Sequence, residues 1–302
     1  MSDQLKLINL DATWRRLLLV IPVALALTGL WFVARWSLGN TFAVYPPDAE
    51  TVRAAERLAP DDPQVHFTLA VLAKKSFSPG ELEESLRRYE RAAGLSPNDY
   101  RLWMELGRVR GQAGDAAGGE RALRRAAELA PHYALPRWYL GNLLLRAGRT
   151  DEAFATLREA ARFDPGLQPQ IIALAWNVYG GEIGRVAAAV GNTVAARAQL
   201  AEHLVKQNRI DDALRVWSSL ENAGQQEQHA AGERLMGALF AVKRFHAGLD
   251  VYRDIAPGAA EGPSVGRVTN GDFEGEVGVG GKQPFNWNVR PVAQAQMGID
   301  PR

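Results

Sequence analysis

The chain has 302 residues, 47% of them hydrophobic, with 35 basic and 34 acidic side chains and a net charge of +1. That balance excludes the strongly basic face of a dedicated DNA binder and the acidic solvating tail. Cysteine is absent, which excludes disulfide frameworks, thiol catalysis and thiolate zinc sites, and leaves the redox compartment open.

Residues 1–16 read as a short N-terminal segment ahead of an uncharged run of eighteen residues, Leu17 to Ala34. At ~1.5 Å per residue a helix of that length covers roughly 27 Å, close to the thickness of a hydrocarbon core. Arg15 and Arg16 precede the run and Arg35 follows it, with Trp14, Trp31 and Trp36 near its ends, where indoles favour the lipid–water boundary. Pro22 is expected in the first turn or two, where a missing N–H costs least. The spacing predicts a membrane-spanning helix over residues 17–36. The alternative is a cleaved signal peptide, with Ser37-Leu38-Gly39 as a weak site. Lys6, Arg15 and Arg16 before the span, against Arg35 and Arg53 after it, put the N-terminus in the cytoplasm and the rest outside.

A linker is expected over residues 37–47, followed by a lone helix from Asp48 to Ala59. The sequence then repeats. Pro97, Pro131 and Pro165 stand thirty-four residues apart, and the same step relates Leu72, Leu106 and Leu140. It also relates Ala73, Gly107 and Gly141, then Tyr89, Leu123 and Leu157, then Ala92, Ala126 and Ala160. Small residues let paired helices approach, large ones fill the space between pairs, and proline ends the second helix. The turn at Ser76–Gly80 is about three residues longer than its counterparts. Beyond Pro165 the pattern weakens. Gln168 to Val178 reads as a helix, Gly180, Gly181 and Gly184 interrupt the helix expected next, and Asn192 to Leu220 returns to type. Two further divergent units end at Pro257.

These registers resemble the tetratricopeptide repeat, a helix–turn–helix unit of this length. In the middle unit the resemblance is carried by Trp103, Leu106, Gly107, Gly119, Leu123, Ala126 and Pro131. In the next it is carried by Leu140, Gly141, Ala153, Leu157, Ala160 and Pro165. The resemblance implies an all-α solenoid, a superhelix over residues 48–257, with the helix at 48–59 as its cap. It also implies a concave face lined by first helices, at Gln64, Phe67, Val71, Lys74 and Lys75, at Arg101, Met104, Arg108, Gly111 and Gln112, and at Leu135, Trp138, Asn142, Leu145 and Arg146. Phe67, Lys74, Arg101, Arg108, Trp138, Asn142 and Arg146 are the candidate binding residues. Arginine pairs with carboxylate in a fork, and aromatic faces stack on peptide or sugar. Asn142 with Arg146 resembles part of the carboxylate clamp of some family members. The bland reading is that these are solvated or packing side chains, since helix faces commonly carry Arg and Lys.

Residues 258–302 are rich in glycine and lose helical periodicity. Asn270-Gly271 beside Asp272-Phe273-Glu274, and Pro284-Phe285-Asn286-Trp287, resemble the opening strands of a carbohydrate-binding jelly roll. Such a sandwich uses about eight strands, so the tail reads as an incomplete β domain in which Phe273, Phe285 and Trp287 lack a core.

Chemistry-bearing motifs are missing. Gly275 to Lys282 fails the phosphate-loop pattern at Glu276 and Gln283. The histidines at 66, 132, 203, 229 and 246 form no metal-binding spacing. Glu83-Glu84 and Asp211-Asp212 sit at helix starts, where carboxylates favour the positive end of the dipole. The expectation is therefore a non-enzymatic scaffold without cofactor, metal or nucleic acid. Its partners would be proteins or extended peptides in the groove, and the membrane through residues 17–36. The resemblance places it in the bacterial cell envelope, in assembly or export of surface polysaccharide. The alternative is a glycan-binding envelope protein working through the jelly roll.

Overall fold

The computed structural model describes residues 13–44, 48–75, 80–256 and the single positions Pro263, Val265 and Gly266. Every regular element among them is helical. The chain divides into two compact units, Met1–Phe163 and Asp164–Arg302. The β strands expected in the tail, with Phe273, Phe285 and Trp287, lie outside the described residues.

In the first unit, α1 spans Thr13–Val44, α2 Ala49–Leu58, α3 Pro63–Lys75 and α4 Glu81–Leu95. It continues with α5 Tyr100–Gln112, α6 Ala116–Leu129, α7 Ala134–Arg146 and α8 Thr150–Phe163. Side chains of Asp48, Asp99 and Asp115 cap the starts of α2, α5 and α6 by accepting from backbone N–H groups, each such cap contributing about 1 kcal/mol. Gly114 and Gly148 take φ of +88° and +75° in the turns that reverse the chain within a pair, where a side chain would be strained.

Helix α1 departs from the sequence reading. Residues 20–34 are apolar and exposed, and Val20–Val44 is long and apolar enough to cross a membrane, with a mean hydropathy of 1.5. Residues 37–44, expected as linker, instead continue the helix. Gly39 and Ala43, one turn apart, are buried against α2. A Cβ on Gly39 would lie 2.6 Å from the Ala59 Cβ. So α2 is not a lone cap; its partner is the end of α1. Ala43, Ala55, Ala59 and Val65 share one small core. A hydropathy reading misses this because small residues carry weak hydrophobic signal while permitting close helix contact. Pro22 lies well inside α1, not in its first turns.

The pairs α3/α4, α5/α6 and α7/α8 follow. Gly107 packs on Leu123 and Gly141 on Leu157; a Cβ at either would fall 2.6 Å from the partner leucine's Cγ. In α3/α4 the corresponding residue is Ala70, not Ala73. Ala70 is fully buried and its carbonyl accepts from the buried Ser85 hydroxyl at 3.0 Å. The sequence between Ala70 and Ser85 is three residues longer than that expected from the later units, so a fixed step of thirty-four slips in this one helix. Tyr89, Leu102, Leu106 and Val109 fill one layer of core, and Leu123, Leu140, Leu143 and Leu144 the next. Burying each leucine contributes roughly 1.5–3 kcal/mol.

In the second unit a 3-10 turn at Pro165–Leu167 precedes α9, Gln168–Val178, and α10, Ile183–Val190. Next come α11 Val194–Lys206, α12 Ile210–Ser218, α13 Asn222–Glu227, α14 His229–Ala241 and α15 Phe245–Ile255. Gly180 and Gly181, at φ of +58° and +76°, form the turn between α9 and α10. They do not interrupt a helix; the second helix is simply short. Trp217 is 1% exposed, the largest fully buried side chain, and its indole N–H donates to Asp254 Oδ2 at 3.0 Å. Burial holds that carboxyl above its ordinary value, against the lowering effect of the indole.

Candidate functional site

Helices α3, α5 and α7 are the first helices of successive pairs in the first unit, and Lys74, Arg108 and Tyr139, one from each, come together. Arg108 is the hub. Its guanidinium donates to Glu105 Oε1 at 2.6 Å and lies 4.4 Å from the centre of the Tyr139 ring. Lys74 feels both Arg108 and Glu105; burial first, then Arg108, pushes its pKa below the ordinary lysine value. Glu105 and Tyr139 had no sequence signal of their own. They fall one helical turn or less from inward positions, which only the packed structure resolves.

The other candidates separate. Phe67 packs edge-on against Tyr89 at 5.7 Å and belongs partly to the core. Arg101 is held at the start of α5, where it grips its neighbour Asp99 with two nitrogens, at 3.0 and 2.7 Å. Asn142 turns its amide back to the Trp138 carbonyl at 2.8 Å. Arg146 is exposed and reaches towards Gly111 of α5: a Cβ added there would stand 3.7 Å from its Nη2. Trp138 is half-buried. The face therefore brings Lys74 and Arg108 together beside Glu105, sets Arg146 further along α5 near Gly111, and leaves Arg101 with Asp99.

The second unit holds a cleft the sequence reading missed. It encloses about 280 Å³ between the Pro165–Leu167 turn, α9, α11 and Arg234 of α14. Pro165, Pro169 and Ile172 form an apolar wall; Gln199, Glu202, His203, Lys206 and Arg234 form a polar one. Arg234 donates to Glu202 at 2.9 Å. The His203 ring meets Trp176 edge-on at 5.4 Å. Burial, then repulsion from Lys206, lowers the His203 pKa, so the ring is neutral near pH 7. Gln199 Oε1 and His203 Nε2 are buried without a hydrogen-bond partner among the described residues. Such atoms carry a desolvation cost of about 1–3 kcal/mol until something pairs with them. The i, i+4 spacing of Gln199 and His203 was the available signal, hidden in a stretch where the repeat motif is weak.

Residues 106–167, from within α5 through α8 to the Pro165–Leu167 turn, match the family model for the tetratricopeptide repeat. These residues are tetratricopeptide repeats. No curated protein matches the chain in sequence. Among solved structures it is similar to MamA AMB-1, at 19% identity over 61% of this chain and 94% of that one, with a TM-score of 0.35. It is also similar to YrrB, described as a TPR protein with an unusual peptide-binding site, at 18% identity, 70% and 95% coverage and a TM-score of 0.36. A third similar structure is MamA MSR-1, at 17% identity, 74% and 98% coverage and a TM-score of 0.37. In the matched tetratricopeptide repeats, α5 and α7 are the helices that supply Arg108, Tyr139 and Arg146.

Proposed function

We propose that this chain is a membrane-anchored tetratricopeptide scaffold for protein–protein interaction that holds extended acidic peptide segments on the first-helix face of its repeats. The observation that carries the reading is the cluster Lys74, Arg108 and Arg146 with Tyr139. Lys74 and Arg108 stand beside one carboxylate, Glu105, and Arg146 adds a third cation further along α5 near Gly111, so an incoming carboxylate meets a net positive field, with the Tyr139 ring beside it for an apolar neighbour. The cleft beside Gln199 and His203 is a second contact for the same partner class, with Pro165, Pro169 and Ile172 offering apolar surface and Glu202, Lys206 and Arg234 offering charge.

Retention of the anchor is supported by the burial of Gly39 and Ala43 against α2. Cleavage near Ser37–Gly39 would strip α2 of its partner. The charge bias around the span supports a cytoplasmic N-terminus and an extracytoplasmic array in a bacterial envelope. The tail's short resemblance to carbohydrate-binding strands is the support for a role in surface polysaccharide assembly or export.

The test is binding of an acidic peptide library to the full chain in detergent. Joint reversal of Lys74, Arg108 and Arg146 to Glu should weaken selected peptides by about tenfold or more, a loss of at least ~1.4 kcal/mol. Arg101→Glu, at the edge, should leave affinity unchanged. Equal affinity for wild type and the triple variant would remove the groove from the proposal.

A further inference from the structure

We propose that one edge of the first unit rests on the bilayer surface, with Tyr133, Leu135 and Phe163 in the headgroup region. The inference builds on the reading that α1 spans the membrane. The unbroken run of uncharged, exposed residues in α1 ends at Arg35; beyond it Trp36, Leu38, Phe42 and Val44 are still exposed, while Gly39 and Ala43 are buried. Arg35 is fixed by the fold: Nε donates to the Leu58 carbonyl at 2.6 Å and Nη2 to the Arg57 carbonyl at 2.9 Å. The C-terminal end of α2 is therefore held level with Arg35, the first charge after the uncharged run and, on this proposal, the lipid boundary. Successive helices then reverse across short turns. This brings the ends of α4, α6 and α8 and the starts of α5 and α7 to the same edge.

Three contacts lie along that edge. Asp61, in the turn after α2, pairs with Arg91 near the end of α4 at 2.7 Å. Tyr100 at the start of α5 stacks on Tyr133 at 5.1 Å. His132 meets Phe163, the last residue of α8, at 5.8 Å. Within α4–α8, the large apolar side chains that stand exposed are Leu82 (38%), Tyr133 (57%), Leu135 (48%) and Phe163 (42%). Three of the four sit on this edge. The opposite edge presents Gly114, Asp115, Gly148, Arg149 and Glu152, and Leu82 is its exception. Tyrosine and other aromatic side chains gain most at the lipid–water boundary, whereas exposing them to bulk water gains nothing. A linker would have let the array turn away; the unbroken helix through residue 44 holds this edge towards the membrane.

The chain lacks cysteine, so single-cysteine variants report one site each. Leu27→Cys, Tyr133→Cys, Phe163→Cys and Ala147→Cys would be made in the full chain, labelled with an environment-sensitive fluorophore and reconstituted in phosphatidylcholine vesicles. Quenching would be read with lipids carrying a nitroxide at the headgroup or deep in the acyl chain. The expected result is deep quenching at 27, and headgroup quenching at 133 and 163 severalfold stronger than at 147. Because Tyr133 and Phe163 are exposed, their replacement should leave the helical circular dichroism intact; Leu135→Cys gives an independent reading of the same edge. Quenching at 27 with 133, 135 and 163 no different from 147 would overturn this surface and leave the anchor standing. Absence of quenching at 27 would overturn the anchor, and the surface with it.

Discussion

Gly107 shows how one missing atom governs a helix pair. A Cβ there would stand 2.6 Å from Leu123 Cγ and 2.9 Å from the backbone carbonyl of Gly119. The leucine can rotate; the carbonyl can move only with its helix. Gly107→Ala should therefore destabilise the first unit by about 1–3 kcal/mol, the usual cost of overpacking, measured as a lower denaturant midpoint with unchanged slope. Ala70 occupies the same place in the preceding pair, where Ser85 bonds to its carbonyl. The two solutions are different packings of one contact. An unchanged midpoint in Gly107→Ala would mean that α5/α6 can relax to the α3/α4 spacing. The glycines at 107 and 141 were legible from their thirty-four-residue step. Ala70 was not, because an insertion in a turn shifts register without changing composition.

At the scale of the element, α1 carries two kinds of environment on one rod. Residues 20–34 are exposed, and its last turns form half of a helix pair. Arg35 stands at the change. Its two hydrogen bonds cap free carbonyls at the end of α2, where a positive charge also complements the helix dipole. Arg35→Ala should loosen α2 while leaving the span intact. The expected outcome is faster amide hydrogen exchange confined to residues 49–58, with retention in the membrane fraction. Exchange unchanged in α2 would show that Gly39 and Ala43 hold the junction without the arginine. Hydropathy could find the rod but not its end, because residues 36–44 mix apolar, small and polar side chains in a pattern that serves packing.

Across the whole molecule, stability should fall in two steps as pH drops, for separable reasons. His203 in the second unit has its pKa lowered from 6.5 by burial. The unfolded chain then takes up its proton first, so stability is fully present above the ordinary value and declines as pH falls below it. Thermal midpoints should drop between pH 7 and pH 5, and His203→Asn should flatten that interval. The second step comes from carboxylates. Arg124 and Arg149 bridge Glu120 and Glu152 between α6 and α8. Hydrogen bonds from these arginines hold Glu152 below its ordinary value of 4.5, and do so for Glu120 against the opposing effect of its burial. Their contribution is present above 4.5 and is lost as pH falls through the depressed values, and added salt should reduce it because the group is exposed. A midpoint constant from pH 7 to pH 5 would show that His203 keeps its ordinary titration.

The helical class, the length of the repeating unit and the apolar span were determined by the sequence alone. Each is a local or periodic property: a capped, amphipathic helix hardly depends on distant residues, and a repeat announces its own contacts. Tertiary structure alone decided that residues 37–44 are helix and not linker. It also decided that Arg101 is occupied by Asp99 while Arg108 faces Lys74 and Tyr139, and that Gln199 and His203 of α11 line one cleft with Arg234 of α14. Those facts depend on which faces of separate helices come together, and the position of a side chain within its own helix carries no record of the neighbour that will cover it.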